Sequence, residues 1–422
     1  MVRSADWSLE LESWVAERFL APLRNAPQRR AAPLYLRGLL GPSERKSLEP
    51  MAAAVAPGHA QSLHHFVSVA HWDEQALGCA LVAEASRLVG GEEAVLIVDD
   101  TALRKHGRHS VGVARQWCGE IGAKANCQVL VSLTLAHGQV PVPVALRLYL
   151  PQEWADAPER RLRAGVPEEV VFEDKWRLAL REIDRVRQAG ARFGLVAADA
   201  GYGAVHAFRH GLSERGLPWI VGVPGDLLAY PKDVRLEEPP PRAGRTGAPA
   251  TRLRPSALPQ RIEDIIGALP ERAWREITWR RGTKGPLRGP FACVRVRLAD
   301  QDEPKLHRGL RAPGEELWLL AQRRPVVGMQ LYLSNLPATA SRRTLARAAR
   351  SRWVCEQAHQ QMKNELGLDH FEGRSWPGLH RHALMTMISM AFLQHLRLRA
   401  RKKNARGTAR RRRPRCPRCG AA

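Results

Sequence analysis

The sequence predicts a mixed α/β fold in which helices cover a sheet, with an all-helical module before the sheet and a β-rich insertion within it. Short runs rich in β-branched residues, such as AVLIVDD and FGLVAADAG, alternate with segments of helical periodicity after about residue 89. Before that point the apolar residues follow helical spacing alone. With 422 residues, 44% of them hydrophobic, the chain is long enough to contain several such units.

Residues 1–88 are the predicted helical module. Segments such as WSLELESWVAERFL and DEQALGCALVAEASRLV carry apolar residues at helical spacing, and Pro, Gly or Ser residues separate such segments. Small helical modules in basic proteins often place one helix in the major groove of DNA, so DNA binding is one interpretation. A module that only packs against the rest of the protein is equally compatible with the pattern.

Residues 89–224 are predicted to form the first part of the sheet domain. Three strand-like runs come first: AVLIVDD, NCQVLVSLTLAHG and VPVALRLYLP. A helix, a strand, a second helix and a further strand follow them. This order predicts a mixed sheet with helices on its faces.

Residues 225–328 differ in composition, and we predict a β-rich insertion there. The stretch LEEPPPRAGRTGAPATRLRPSALPQ is typical of an extended loop, and three β-like runs follow it: WREITWRRG, FACVRVRLAD and ELWLLAQRR. Residues 329–396 return to the sheet domain as its second part. That part is predicted to contain the strand MQLYLSNLP and one long helix over residues 341–366, which Gly367 ends.

The chain is strongly basic, with a formal net charge of +24. An excess of this size is typical of proteins with a polyanionic partner, most often nucleic acid. Half of it comes from 12 Lys and Arg residues at positions 397–418, a stretch without Asp or Glu. We predict that residues 397–422 form a basic, disordered tail that binds phosphate backbones without specificity. A specific role of the tail is the alternative.

Cysteine usage and apolar segments indicate the compartment. Seven cysteines are spread along the chain without the spacing of a disulfide framework, which favours a reducing compartment. Cys416 and Cys419 supply only two of the four ligands of a structural zinc ion, so zinc there is the less favoured interpretation. No apolar run reaches the roughly 20 residues that span a bilayer, and the start lacks the pattern of a secretory signal. We expect a cytoplasmic, nucleoid-associated protein.

Three acidic residues that are remote in sequence are candidates for one catalytic centre. Asp100 ends AVLIVDD, Asp199 ends FGLVAADAG, and Glu356 lies on the predicted long helix. Open α/β sheets build their sites at the carboxyl ends of strands, and a carboxylate at a buried strand end needs a compensating cation. Each Asp taken alone fits a helix cap or a turn equally well. Asp99 points to the opposite strand face from Asp100, so only one of the two is expected in the centre.

Arg352, Glu356 and Lys363 are separated by four and seven positions, so they share one face of the predicted helix. A Glu flanked by Arg and Lys can bind a metal ion while its basic neighbours hold a phosphodiester. An ordinary exposed ladder of ion pairs has the same spacing. The two strand-end aspartates favour the metal-binding interpretation.

Three long segments resemble the 701 family of bacterial insertion-sequence transposases, within the DDE superfamily and related to the insertion-sequence-4 group. They are VDDTALRKHGRHSVGVARQWCGEIGAKANCQV, ADAGYG and RWVCEQAHQQMKNELGLDHFEGRSWPGLHRH, and the similarity extends over about residues 36–396. The resemblance implies a ribonuclease-H-like sheet domain with its β-rich insertion between the second Asp and the Glu. It also implies that Asp100, Asp199 and Glu356 bind two Mg²⁺ ions, for which Mn²⁺ can substitute.

The related group's Tyr-Arg-Glu-Lys pattern falls on Ala349, Arg352, Glu356 and Lys363. The metal ligand and the two basic residues match this pattern. The Tyr does not, because Ala349 has no hydroxyl with which to contact a phosphate group.

Further DNA contacts are expected from residues near the predicted centre. Lys105 and Arg108 follow Asp100 in a basic loop, and Arg352 and Lys363 flank the glutamate. Trp279 precedes RRGTKG in the insertion and is a candidate platform for a base flipped out of the transposon end. Packing within the insertion is the alternative for this tryptophan.

The resemblance implies a transposase that binds the terminal inverted repeats of an insertion sequence as a homodimer or higher multimer. Such an enzyme cleaves double-stranded DNA with Mg²⁺ and transfers the strands into target DNA. A nuclease of the same fold without strand transfer, and an inactive remnant that only binds DNA, are the alternatives. The GTKG at residues 282–285 lacks the spacing of a phosphate-binding loop, so ATP dependence is not expected.

Overall fold

A computed structural model describes residues 6–238, 252–282, 285–304, 306, 309–325 and 328–411. These residues form one mixed sheet of 12 strands, a separate pair of two-residue strands, and helices that pack on the large sheet. Within the same ranges, no helix combines the length and the apolar character needed to cross a membrane.

Helices precede the first strand, as the periodicity predicts. They pack against the last helix, because the rings of Trp14 and Phe392 lie 5.2 Å apart and the Tyr35 hydroxyl lies 2.8 Å from His382 Nδ1. The predicted module of residues 1–88 therefore shares the core of the sheet domain, and a DNA-binding role for it remains a prediction. The helices are α1 (Asp6–Arg18), α2 (Ala26–Leu40), α3 (Leu48–Val55), α4 (Ala60–His64), which a π-helical turn His65–Val69 continues, and α5 (Glu74–Val89).

The core strands are β1 (Gly91–Arg104), β2 (Ala114–Cys118), β3 (Ala123–His137), β4 (Val140–Leu148), β5 (Phe193–Ala198) and β6 (Trp219–Val223). Strand β3 pairs antiparallel with both β4 and β1, whereas β1, β5 and β6 are mutually parallel neighbours. The spatial order β4-β3-β1-β5-β6 is the ribonuclease-H-like arrangement, which confirms the predicted fold class. Among these strands lie α6 (Gln152–Ala155), α7 (Pro158–Ala164), α8 (Lys175–Gln188), α9 (Ala200–Gly203) and α10 (His206–Glu214).

The predicted insertion continues the same sheet. Its long strands pair antiparallel in chain order, and the last of them pairs with the strand MQLYLS of the second core part, which pairs in turn with β6. The Pro-rich loop falls largely on residues 239–251, which lie outside the described residues. The elements are β7 (Leu228–Pro231), β8 (Leu236–Glu237), β9 (Arg254–Pro255), β10 (Gln260–Arg261), α11 (Ile262–Gly267), a 3-10 turn Glu271–Ala273, β11 (Arg275–Gly282), β12 (Gly285–Gln301), β13 (Ala312–Arg324) and β14 (Gly328–Ser334).

The single long helix predicted over residues 341–366 is wrong, because two helices, α12 (Arg342–Ala349) and α13 (Trp353–Asn364), occupy this segment. Both the backbone N–H and the hydroxyl of Ser351 donate to the carbonyl oxygen of Ala348, at 3.1 and 2.7 Å. This local side-chain bond competes with helical continuation. Arg352 consequently lies at the start of α13, and Gly367, with a φ of +65°, closes the turn that follows this helix.

The last helix, α14 (Trp376–Arg411), extends into the predicted disordered tail. Residues 397–411 are therefore helical, in contrast to the disorder that the sequence analysis predicts for them. The segment is rich in Leu, Ala, Arg and Lys, which all favour helix. Residues 412–422, with Cys416 and Cys419, lie outside the described residues.

The two faces of β1 belong to two different apolar clusters. Leu96 and Val98 contribute to the larger one, which extends into α5, α8 and α14. Ile97 contributes to the smaller one together with Val354 and Cys355 of α13. Because side chains alternate along a strand, the odd-numbered residues around Ile97 face the helix that carries Glu356.

Candidate active site

Asp99 and Asp199 directly follow the last paired residues of two neighbouring parallel strands. The pairing of β1 with β5 ends at Val98 and Ala198. Strand β1 itself continues to Arg104 as a partner of β3, so it does not end at Asp100 as predicted. The carboxyl edge of the parallel pair therefore brings the two aspartate segments together, which is the place where such sheets build sites.

Asp99 and Asp100 point to opposite faces of the sheet. The Oδ2 atom of Asp99 accepts a hydrogen bond from Arg352 at 2.5 Å, on the side of α13. The carboxylate of Asp100 accepts from Lys175 Nζ and from the Tyr202 hydroxyl, both at 2.6 Å, on the side of α8. The expectation that Asp100 converges directly with Glu356 is therefore not met, because Asp99 occupies that face. The alternation was predicted, and the role of Asp100 in the centre stays a prediction.

Asp199 lies between these two groups. Its carboxylate accepts from the backbone N–H of Tyr202 at 3.2 Å and so caps the short helix α9. Burial raises the pKa of Asp199, Arg352 opposes the rise, and the nearby charge of Asp100 adds to it. Asp199 thus interacts electrostatically with the groups on both faces.

The turn after Asp199 depends on close backbone packing. A Cβ atom on Gly203 would lie 1.9 Å from the carbonyl oxygen of Gly222 on β6. Any larger residue would push α9 away from the sheet. Glycine at this position therefore lets the Asp199 turn lie directly on β6.

Arg352 joins two carboxylates from distant parts of the chain. Its guanidinium binds Asp99 and Glu356, each at 2.5 Å. Burial would lower the pKa of Arg352, but the charges of Asp99, Glu356 and Asp199 outweigh that effect and raise it. A cation therefore stands between the strand aspartate and the helix glutamate.

The carboxyl group of Asp99 is poorly hydrated and has an unusual pKa. Burial and the nearby charge of Asp199 raise its pKa, Arg352 opposes the rise, and the net pKa is about 7. The side chain of Glu356, in contrast, is 57% exposed. The centre therefore combines a buried acid, Asp99, with an accessible one, Glu356. Glu356 lines a surface cavity of about 440 Å³ together with Asp199, Arg352 and Trp353.

Beneath α13 lies a buried polar cluster that the sequence analysis missed. Cys355 Sγ lies 3.3 Å from Thr134 Oγ1 and 3.5 Å from His359 Nε2, and this nitrogen lies 2.9 Å from Ser132 Oγ. Burial lowers the pKa of His359 to about 3 and raises that of the Cys355 thiol. The spacing of four between Cys355 and His359 was a visible signal, because it places both on one helix face.

The other predicted DNA-binding residues differ in their accessibility. Lys105 Nζ donates to the carbonyl oxygens of Phe371 at 2.8 Å and Asp369 at 3.4 Å, so this ammonium group is engaged within the protein. Arg108 is exposed. Lys363 lies 3.4 Å from Glu120 with only 14% of its side chain exposed. Of these three cations, Arg108 is the most accessible to DNA.

Trp279 packs inside the sheet domain. Its ring lies edge-on to Phe291 with the centroids 5.7 Å apart, and the guanidinium of Arg350 lies 5.5 Å from its centre. The ring belongs to the periphery of the smaller apolar cluster. These contacts favour the packing alternative for this residue.

The ribonuclease-H-like sheet with acidic residues at its parallel edge is the architecture of metal-dependent enzymes that cut nucleic acids. A family model described as DDE superfamily endonuclease matches residues 18–286. The chain therefore belongs to the DDE superfamily of endonucleases, which use divalent metal ions and act on DNA. This confirms the predicted superfamily and the prediction that the chain is an enzyme.

The chain is similar to a probable transposase for insertion sequence element IS701 from Microchaete diplosiphon, with 29% identity over 191 residues. This alignment covers 44% of the chain and 46% of that relative, so the chain matches less than half of the relative's length. It agrees with the insertion-sequence family that the three sequence segments indicate. The structure also matches the Drosophila P element transposase strand transfer complex over 50% of this chain and 43% of that one, with 12% identity and a TM-score of 0.21. At that TM-score the match supports no argument about site or function.

Proposed function

We propose that the protein is an insertion-sequence transposase that binds the terminal inverted repeats of its element, cleaves the DNA there and transfers the strands into target DNA. In this proposal Asp199 and Glu356 carry out cleavage together with one of two adjacent aspartates: Asp100, which the sequence predicts, or Asp99, which Arg352 joins to Glu356. The observation that supports it best is the guanidinium of Arg352, which joins Asp99 to Glu356 beside Asp199.

The donor atoms of this centre fit Mg²⁺. They are carboxylate oxygens, which Mg²⁺ prefers, and Glu356 leaves one side accessible to substrate and water. Burial and mutual repulsion raise the pKa of Asp99 and of Asp199, so added positive charge would favour their ionised forms. Two Mg²⁺ ions, or Mn²⁺ in their place, would activate a water molecule and neutralise charge on the phosphate group.

The chain's own cations define the remaining roles in the proposal. Arg352 holds Asp99 and Glu356 in place and is near enough to the accessible carboxylate to contact a phosphodiester bound there. Lys175 neutralises Asp100 on the other face. Arg108 and the exposed residues Arg399, Arg401, Lys402 and Lys403 of α14 add attraction to the DNA backbone, in line with the net charge of +24.

Transposition of this kind also implies an assembly. Two element ends have to be joined to one target, so we propose that a homodimer or higher multimer forms on the DNA. In a bacterial host such a protein would act in the cytoplasm on the nucleoid.

A plasmid that carries the coding region with its natural flanking DNA contains both element ends, whatever the sequence of their repeats. Purified protein and Mg²⁺ should produce cuts at the element ends, which primer extension maps. Asp199→Asn and Glu356→Gln should each abolish the cuts while a mobility shift of the end fragments persists. Glu93→Gln is the matched control, because Glu93 lies on β1 with 85% of its side chain exposed.

Asp99→Asn, measured beside Asp100→Asn, decides which aspartate serves the cleavage centre. If Asp100→Asn cleaves normally and Asp99→Asn does not, the assignment moves to Asp99. Precut ends supplied with a target plasmid then separate the candidate functions. Joined product supports the transposase, cleavage without joining supports a nuclease, and a mobility shift alone supports an inactive DNA-binding remnant.

A further inference from the structure

The buried cluster beneath α13 contains a thiol and an imidazole that the acidic centre does not use, and both lie near Asp99. One ligand atom each from Asp99, Cys355 and His359 lies within 4.8 Å of the others. Cys355 and His359 are one turn apart on the sheet-facing side of α13, whereas Glu356 points outwards from the same helix. Asp99 approaches them from β1, so the cluster connects the helix to the middle of the sheet.

The chemical state of these groups suits a soft cation. The thiol of Cys355 is fully buried and the His359 residue is 7% exposed. The hydroxyls of Thr134 and Ser132 contact them, and apolar side chains such as Ile97 and Val354 pack nearby. An imidazole nitrogen and a cysteine sulfur are both common ligands of such cations. Asp99 adds a carboxylate oxygen.

We propose that Asp99, Cys355 and His359 form a binding site for one thiophilic divalent cation, with Zn²⁺ as the natural occupant. Coordination forms one bond each to sulfur, nitrogen and oxygen. The thiol proton is released to solvent, as is the proton of Asp99 where that group carries one. Three protein ligands leave one position of a tetrahedral zinc ion for water or for the Ser132 hydroxyl.

The proposed site shares Asp99 with the acidic centre, and its other two ligands, Cys355 and His359, distinguish it. Thiolate and imidazole favour Zn²⁺, whereas Mg²⁺ takes oxygen ligands and dehydrates reluctantly. A bound ion would tie α13 to β1 and so hold the helix that carries Glu356. Binding at this site does not depend on whether the protein cuts DNA.

Cobalt(II) provides a spectroscopic test, because a tetrahedral site with one thiolate gives intense visible bands and a thiolate-to-cobalt charge-transfer band. The full chain with Cys416→Ser and Cys419→Ser is the starting protein, so that these two closely spaced thiols are removed as alternative cobalt ligands. It should develop both sets of bands at about one cobalt per chain, and Zn²⁺ should displace them. Cys355→Ser should abolish the charge-transfer band, and His359→Gln should weaken cobalt binding at least tenfold. Cys79→Ser, at a half-buried thiol on α5, should leave the spectrum unchanged.

X-ray absorption of the zinc-loaded starting protein needs no variant in the cluster. The measurement therefore tests the proposal even if the cluster variants fail to fold. One sulfur with nitrogen and oxygen neighbours is the expected shell. A shell without sulfur would overturn the proposal, as would a charge-transfer band that persists in folded Cys355→Ser.

Discussion

The guanidinium of Arg352 donates to the Asp99 carboxylate at 2.5 Å, although 253 positions separate the two residues in the chain. This contact joins Arg352, the residue immediately before α13, to the middle of the sheet. The Asp99 side chain is only 11% exposed, so few water molecules could solvate its charge if the guanidinium were removed. The contact of Arg352 with Glu356 is more exposed, and solvent screens it more strongly.

Arg352→Met should lower the free energy of unfolding by roughly 3 kcal/mol, because it leaves Asp99 as an unpaired buried acid. Asp99→Asn on its own should cost less. The double variant should be clearly more stable than the sum of the two losses predicts, since the interaction is already absent in each single variant. Urea unfolding measures all three, with the exposed Arg347→Met as control. Additive losses would contradict the coupling.

Lys105 and Arg108 should behave oppositely when replaced. Lys105→Met removes hydrogen bonds to the carbonyl oxygens of Asp369 and Phe371, so stability should fall by about 1–2 kcal/mol. Its DNA binding should keep the same salt dependence. Arg108→Met should leave stability within about 0.5 kcal/mol and lower the slope of log affinity against log salt by about 1.

Fluorescence anisotropy with one labelled duplex over a salt series measures these slopes. Denaturant unfolding of the same preparations measures stability. If Lys105→Met lowered the slope and kept full stability, the ammonium group would serve DNA instead of the loop at Phe371.

Trp279→Ala should destabilise the protein by about 2 kcal/mol, because it removes the packing on Phe291 and the contact with Arg350. Trp279→Phe should retain most of the stability. A fluorescent base analogue at the cleaved element end reports base flipping, and its signal should be the same with Trp279→Phe as with the unchanged protein. Full stability of Trp279→Ala combined with a lost flipping signal would restore the base-platform interpretation.

Features that depend on local pattern could be predicted from the sequence. The strand-like runs around Asp100 and Asp199 are apolar and β-branched, and the structure has strands there. The break at Ser351 was missed because it depends on one side-chain hydrogen bond to Ala348, without a Pro or Gly to signal it. Helical spacing alone therefore suggested one long helix.

Features that depend on distant contacts could not be predicted. Alternation separates Asp99 from Asp100, but only the packed position of α13 decides which of them faces Glu356. Lys105 likewise has the pattern of a surface cation until the loop around Phe371 folds over it. Sequence spacing carries no information on such partners, because they lie 253 and 266 positions away along the chain.

We predict that His382 makes the stability of the protein depend on pH. The Tyr35 hydroxyl lies 2.8 Å from its Nδ1 atom, and its Nε2 atom lies 2.9 Å from the carbonyl oxygen of Gly367. The neutral ring satisfies both contacts by accepting from Tyr35 and donating to Gly367. Burial lowers the pKa of His382 to about 4, below its ordinary value of 6.5.

Because the unfolded chain takes up this proton near pH 6.5 and the folded protein takes it up only near pH 4, acidification favours unfolding between these values. The contribution of His382 to the free energy of unfolding is fully present above about pH 6.5, and about 3 kcal/mol of it is lost by pH 4. His382→Gln cannot titrate and should remove that part of the slope, while His359 and His380, whose pKa values burial also lowers, keep their parts. Urea unfolding at a series of pH values measures the difference. The exposed His65→Gln should retain the full slope, and an equal slope in His382→Gln would show that the proton enters elsewhere.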